Sequence, residues 1–440
     1  MADREPVRRA SYGAASPVVG VKGARTREQI IEAALLLFGE RGVHGTVVDD
    51  IAKAVGISRA TLYQYFGSKE ELFRELVEES GSAQIRVMRR LGRLGPTAEG
   101  FDNLHWWLGE VTWVYEKYAT LFVQWANVDT PEGPLRPMLG RFLETYTGRL
   151  AERLVEGGVT GVDAGDLAIA LWSMIERFNY YRHTRATGLT DDAAVDNLAI
   201  VAQLIVFPET PSAVLTSGAN SIRVRRSGAQ APRKFKAMPD WKPREGRFAS
   251  LSDEAFATVS DILDAGARLF ASSGYHNTSA NMIIREAARS RGTFYKYFDG
   301  KLDLLVVLAR ECAEEVRELS DRLKGVDTSA DLRVWLGDFL ALHQTHSGVF
   351  RVWLEQVVDD AAVRETSDIA VGSALAGMTQ LLASVERAYQ LDLGASALMF
   401  LALLERLPGL AAGTGDVQPT ARLADTLTSV MERGFLNAGS

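Results

Sequence analysis

Residues 46–66 read TVVDDIAKAVGISRATLYQYF, and the way this stretch is punctuated decides the fold. Val48, Ile51, Ala52 and Val55 fall at i, i+3, i+4 and i+7, the apolar stripe of a short helix. Thr46 places a hydroxyl where the cap of that helix is expected. Gly56 stops it, because glycine takes the left-handed conformation such a turn needs. Ser58 caps a second helix two residues later, with Leu62 and Phe66 sharing its inner face. Ala60 and Gln64 point the opposite way, Thr61 and Tyr63 flank them, and Arg59 and Tyr65 sit where long side chains reach phosphates. The expected result is a helix-turn-helix whose second helix presents hydrogen-bonding groups to a major groove.

The flanks extend the pattern. Thr26 opens TREQIIEAALLLFGERG (26–42) with a T-x-x-Q capping box to Gln29, and Ile30, Ala33, Ala34, Leu37 and Phe38 form its buried stripe up to Gly42. Ser68 opens SKEEL (68–72) with S-x-x-E to Glu71, and Lys69 lies near that helix start, a place to meet a phosphate. With T-x-V-x-D-I-A-x-x-x-G-I-S and T-L-Y-x-Y-F between them, residues 26–72 resemble the DNA-binding domain of the tetracycline-repressor (TetR) family.

From residue 251 the chain begins again. Thr278–Phe298, TSANMIIREAARSRGTFYKYF, repeats 46–66 at an offset of 232 residues, and Ile262, Ala265, Leu269, Phe270 and Gly274 repeat Ile30, Ala33, Leu37, Phe38 and Gly42. Leu104, Trp107, Leu108, Phe122 and Trp125 recur as Leu332, Trp335, Leu336, Phe350 and Trp353, and Ile175-Glu176-Arg177-Phe178 has its counterpart in Leu404-Glu405-Arg406-Leu407. The fold class that follows is all-α, with no strand signal: two tandem TetR-like units, each a three-helix helix-turn-helix domain plus a helical bundle that in the family binds a small molecule. The boundaries are a basic, disordered tail over 1–24, a first DNA-binding domain over 25–72 and a first sensor bundle over 73–206. A basic, Pro- and Gly-rich linker over 207–247 then leads to a second DNA-binding domain over 248–304 and a second bundle over 305–440.

Composition fits this reading. The 440 residues are 47% apolar and 24% charged, those of an ordinary globular chain, and the net charge of −7 argues against a generally basic nucleic-acid coat. One cysteine, Cys312, excludes an intrachain disulfide and a thiolate metal cluster. No signal-peptide core or membrane span is seen, so a cytoplasmic location is expected. No nucleophile elbow, phosphate loop or dinucleotide fingerprint occurs, and no enzymatic activity, cofactor or metal is expected.

Family members bind DNA as dimers docked through two helices near the C-terminus, so the resemblance implies a pseudo-dimer within one chain. Ala164–Arg185 and Ala193–Val206 would pack on Gly394–Leu407 and Thr420–Phe435. Independent halves that dimerise with other chains, and further homodimerisation, remain open. The DNA-contacting set is Thr46, Ser58, Arg59, Ala60, Thr61, Tyr63, Gln64, Tyr65 and Lys69, with Thr278, Ser290, Arg291, Gly292, Thr293, Tyr295, Lys296, Tyr297 and Lys301 in the second reader. Gln64 suits adenine and Lys296 guanine, so the half-sites of a double-stranded operator are expected to differ. Ala288 in place of Gly56, and Arg289 in place of Ile57, predict a weakened second reader. Trp107, Val111, Phe122, Trp125, Trp172, Ile175 and Phe178 are candidates to line a pocket for a lipophilic effector, although aromatics at helical spacing also serve as core. The expected function is a DNA-binding regulator, a repressor released by that effector. The alternative is a helical sensor or partner-binding protein in which only the first reader touches DNA.

Overall fold

The computed structural model describes residues 21–128, 135–185, 188–221, 247–355, 358–413 and 420–437. Among them every regular element is helical. The chain divides into two compact units, residues 1–90 with 110–146, and residues 91–109 with 147–440. The helices of the first half are α1 (Val21–Gly45), α2 (Val48–Val55), α3 (Arg59–Tyr65), α4 (Lys69–Met88), α5 (Ala98–Lys117), α6 (Ala119–Val128), α7 (Leu135–Glu156), α8 (Ala164–Thr184), α9 (Asp191–Val206) and α10 (Ser212–Ser221). The second half contains α11 (Asp253–Ser273), α12 (Ala280–Glu286), α13 (Arg291–Tyr297), α14 (Lys301–Asp321), α15 (Ser329–Thr345), α16 (Ser347–Glu355), α17 (Ala361–Ala383), α18 (Leu393–Gly413) and α19 (Thr420–Gly434).

In the first unit, α1 packs on α2, α4 and α6. Ile30, Ala34, Phe38, Ile51, Leu62, Phe66 and Phe73 are buried, with Phe38 and Phe73 in ring contact at 6.1 Å. α1 begins at Val21, so Thr26 lies inside it and the expected capping box is not a helix start. Arg27 holds this segment down by donating to Glu75 at 2.9 Å while lying over the Phe66 ring. The helix breaks at Gly42 (φ 70°, ψ 165°), where a β-carbon would be strained. α5 and α6 meet at Tyr118, whose hydroxyl donates to Glu79 at 2.8 Å.

The second unit carries the second reader, its bundle and a seam between the two halves of the sequence. α14 packs on α17, and Gly377 makes this approach close, since a β-carbon there would sit 2.5 Å from the Ser320 carbonyl oxygen. At the seam α8 packs on α18 and α9 on α19, with α9 also meeting α18 and α8 meeting α19. These are the four segments expected to dock. Every residue of α9 from Leu198 to Val206 is buried. Arg422 donates to both carboxylate oxygens of Asp166 at 3.0 Å, and the Asp392 amide donates to Asn197 Oδ1 at 2.7 Å.

The stretch expected to be a linker from residue 207 is partly folded. Phe207, Thr210 and Leu215 are buried, Gln203 donates to the Thr210 hydroxyl at 2.9 Å, and Asn437 donates to the Pro208 carbonyl at 2.8 Å. The basic remainder, 222–246, and the tail over 1–20 lie outside the described residues. Among the described residues no helix is long and apolar enough to cross a membrane.

Candidate nucleic-acid interface

The first reader turns at Gly56 (φ 75°, ψ 29°), with the Ile57 amide donating to Ala52 O at 3.0 Å. Ser58 caps α3 by accepting the Thr61 amide at 3.0 Å, and the two hydroxyls pair at 2.8 Å. Leu62 and Phe66 face inward; Arg59, Ala60, Tyr63 and Gln64 are exposed, with Thr61 and Tyr65 half-buried beside them. The Arg59 guanidinium lies over the Tyr63 ring, donates to its hydroxyl at 3.2 Å and pairs with Asp49 at 3.4 Å. That ion pair is fully in solvent and stabilises little, so a phosphate can replace the Asp49 carboxylate.

The second reader repeats this order of exposed and buried positions, with Gly292 and Lys296 in place of Ala60 and Gln64. Ser290 accepts the Thr293 amide at 3.0 Å, and Arg291 lies over the Tyr295 ring. Arg291, Gly292, Tyr295 and Lys296 are exposed, Thr293 and Tyr297 half-buried, and Phe294 and Phe298 turned inward. The turn is retained in spite of the changed residues. Ala288 takes φ 51°, the one positive φ outside glycine among the described residues, and the Arg289 amide donates to Ile284 O at 3.1 Å. Arg289, exposed where Ile57 is half-buried in the first reader, pairs outward with Asp261.

Four expected DNA contacts are spent inside the fold instead. Thr46 is fully buried and does not cap α2, whose N-cap residue is Val47 with no side-chain bond. Its hydroxyl turns back to the end of α1, donating between Leu37 O at 3.1 Å and Gly42 O at 2.8 Å. The carbonyls that helix termination orphans are the better acceptors. Thr278 does the same toward Leu269 O and Gly274 O at 3.3 and 2.8 Å, and Ser279 caps α12. Lys69 directs its ammonium at three backbone carbonyls, Val43, His44 and Thr46, at 2.9, 3.1 and 3.1 Å. An ammonium has three donors, and all three are used. Lys301 meets Tyr275, His276 and Thr278 carbonyls at 2.9, 3.5 and 2.8 Å and lies over the Tyr275 ring; burial lowers its pKa. Both lysines clamp the reader rather than face a phosphate.

The candidate effector residues divide between the units. Val111 and Phe122 belong to the first, where Phe122 stacks on Tyr115 at 4.4 Å. Trp107, Trp172, Ile175 and Phe178 are buried in the second, and Trp172 lies under the Arg406 guanidinium. The Trp125 side chain lies outside the described residues. Two adjoining voids occur elsewhere, among Trp335, Phe339, Phe350, Trp353, Val371 and Glu405, and none of the six described candidates lines them. The sequence signal nearest these voids was the repeated Glu-Arg pair. Glu176 meets Arg406 across the seam at 3.2 Å, and Glu405 accepts the Tyr181 hydroxyl.

Comparison with known proteins agrees with the geometry of the readers. The model of the bacterial regulatory proteins of the tetR family matches twice, over residues 30–76 and 262–308. The biofilm operon icaADBC HTH-type negative transcriptional regulator IcaR of Staphylococcus epidermidis is 35% identical over 131 residues, covering 30% of this chain and 68% of that protein. IcaR of Staphylococcus aureus is 33% identical over 109 residues, 24% of this chain and 55% of that protein. Among solved structures, the TetR-family regulator PfmR of Thermus thermophilus is 27% identical, covering 40% of this chain and 96% of its own, with a TM-score of 0.33. NalD of Pseudomonas aeruginosa, a repressor of a multidrug efflux pump, is 19% identical, covering 40% of this chain and 93% of its own, with a TM-score of 0.34. The fold and readers define a helix-turn-helix transcriptional regulator. The chain belongs to the TetR family and carries two of its DNA-binding modules in tandem.

Proposed function

We propose that this chain is a repressor that uses both readers on one operator, held as a pseudo-dimer by its own seam and released by a small molecule. The observation that carries the reading is the match of the two recognition helices, exposed and buried in the same order, in a chain whose halves pack through α8, α9, α18 and α19. Two readers entering successive major grooves sit about 34–36 Å apart, and in a fused pair one polypeptide sets that spacing. IcaR, by its name a negative regulator, supports repression. Arg59 and Arg291 contact the backbone, while Gln64 and Lys296, unlike in chemistry, read half-sites that differ. A gel shift and footprint on the DNA upstream of the chain's own gene test this. Arg59→Ala and Arg291→Ala are each expected to weaken binding at least tenfold and to open one half of the footprint. If Arg291→Ala leaves affinity and footprint unchanged, only the first reader binds and the pseudo-dimer reading falls.

A further inference from the structure

Each recognition helix ends at a phenylalanine covered by an arginine, but the two arginines come from different places in the chain. In the first reader Arg27 of α1 lies over the Phe66 ring at 5.4 Å and pairs with Glu75 of α4 at 2.9 Å. The positions that match these two charges at the offset of 232 are Val259 and Val307, and both are buried. The second reader has thus exchanged the ion pair between its first and fourth helices for two apolar side chains. Its arginine is Arg247, which precedes α11 altogether. The Arg247 guanidinium lies over the Phe298 ring at 5.2 Å and over Phe248 at 4.8 Å.

Arg247 does more than cover a ring. It donates to both carboxylate oxygens of Asp303, at 2.7 and 2.9 Å, and to the Tyr297 carbonyl. Tyr297 is the last residue of α13, where carbonyls lack intrahelical donors and the helix dipole favours a cation. Asp303 lies in the first turn of α14 and also accepts the Asp299 amide at 2.9 Å. One side chain therefore joins the end of the recognition helix to the start of the helix that leads into the bundle. Arg247 is exposed, and an isolated ion pair in solvent stabilises little. A two-pronged arginine–carboxylate contact that also holds a backbone carbonyl retains more of its value. α13 has only seven residues, and so short a helix depends on contacts at its ends for its direction. In the first reader the matching acid, Glu71, accepts the Gly67 amide at 2.9 Å, but it pairs with Arg74 of its own helix at 3.8 Å.

We propose that Arg247 is a positioning residue for the second reader. It sets the direction of α13 against α14, so the second recognition helix meets its groove correctly only while the point where the chain enters the second half is fastened to it. The first recognition helix has no such dependence, since Arg27 belongs to its own reader. Arg247 acts through Tyr297 and Asp303, not through a phosphate. The inference rests on the reading that both readers bind one operator.

Footprints and gel shifts of the full chain on the DNA upstream of its own gene test it. Arg247→Met is expected to weaken binding about tenfold and to open the half-site that Arg291→Ala opens, with the slope of log affinity against log salt unchanged. Arg247→Lys, which keeps the charge but not the fork, should weaken binding about threefold. In an Asp303→Ala background, Arg247→Met should cost only about threefold more, because the fork is already broken. Adding Ala288→Gly, which relieves the turn of the same reader, should not restore the Arg247→Met variant. Restored affinity would make Arg247 a general support of the reader and overturn the positioning role. A salt slope reduced by about 0.9 would make it a phosphate contact and overturn it equally. An unchanged footprint, or protection lost at the other half-site, also sinks it. Circular dichroism checks each fold, and if Arg247→Met does not fold, Arg247→Lys decides, with parent-like binding counting against the proposal. Arg291→Ala, run alongside, separates the two readings. If it opens a half-site and Arg247→Met does not, this inference falls alone; if it opens none, the two-reader operator falls and takes this inference with it.

Discussion

Replacing Lys69 by methionine separates a structural clamp from a DNA contact, because the two roles have different signatures. The ammonium donates to three backbone carbonyls at 2.9, 3.1 and 3.1 Å, tying the start of α4 to the C-terminal end of α1 and to Thr46 just beyond it. A hydrogen bond from a charged donor contributes about 1.5–3 kcal/mol net, and a buried carbonyl left without a partner adds a desolvation penalty. Val43 and Thr46 are buried, so their carbonyls rehydrate poorly, whereas the residue between them, His44, is exposed. The three bonds share one donor atom and do not add in full, which gives an expected loss of about 2–4 kcal/mol. At about 1.4 kcal/mol per factor of ten, the opening equilibrium of the first reader should rise roughly 30- to 700-fold, read as lost amide protection in α2 and α3 by hydrogen exchange. A phosphate contact would act elsewhere, lowering the slope of log affinity against log salt by about 0.9 with protection unchanged. The expected outcome is weakened protection with an unchanged salt slope. A slope reduced by about one, in a variant as protected as the parent, would refute the clamp.

Ala288→Gly should stabilise the second reader by about 0.5–1 kcal/mol, because Ala288 holds a left-handed conformation that glycine enters without strain, and Gly56→Ala should cost the first reader a similar amount. Amide protection in α12 and α13, and in α2 and α3, reports each. Gly434→Ala should weaken the seam by about 1–3 kcal/mol, since its new methyl would collide with Ile205 Cγ1; an unshifted melting temperature would show that α19 and α9 do not meet so closely. The Glu311 carboxyl is pushed up to about 7, first by burial, with Glu315 and Asp264 adding and His346 opposing. The folded state thus holds this proton more tightly than the unfolded chain, so stability is full below about pH 4.5 and falls as pH rises toward 7. The loss is up to about 3 kcal/mol. Glu311→Gln should flatten the urea midpoint over that range, and an equally steep profile in the variant would assign the slope to another group.

Much of this architecture is legible in the chain because it is local or repeated. Ser58 and Ser290 cap the helices that follow them, and Gly42 and Gly274 stop the helices before them, through bonds within a few residues. The two-module organisation is legible from an offset of 232, and the docking helices from what the family resemblance implies. The Thr46 latch and the Lys69 clamp are not legible, since their acceptors are carbonyls exposed only by where α1 ends in space. A threonine before a helix and a lysine at a helix start have plausible solvent roles that the sequence alone cannot outweigh. The asymmetries between the halves are legible as residue differences but not as consequences. Ala288 reads as a weakened turn, yet the turn is kept and the strain stays in one φ angle. Tyr181 opposite Leu410 reads as an ordinary difference between apolar helices, yet only Tyr181 has a hydroxyl to donate to a seam glutamate, Glu405. In a dimer of identical chains, a tyrosine donating to the partner's glutamate would act twice. Fusion removes that symmetry, because one substitution now changes one side. A single chain can therefore hold Glu405 by a tyrosine hydroxyl on one side of the seam while Glu176 pairs with Arg406 on the other.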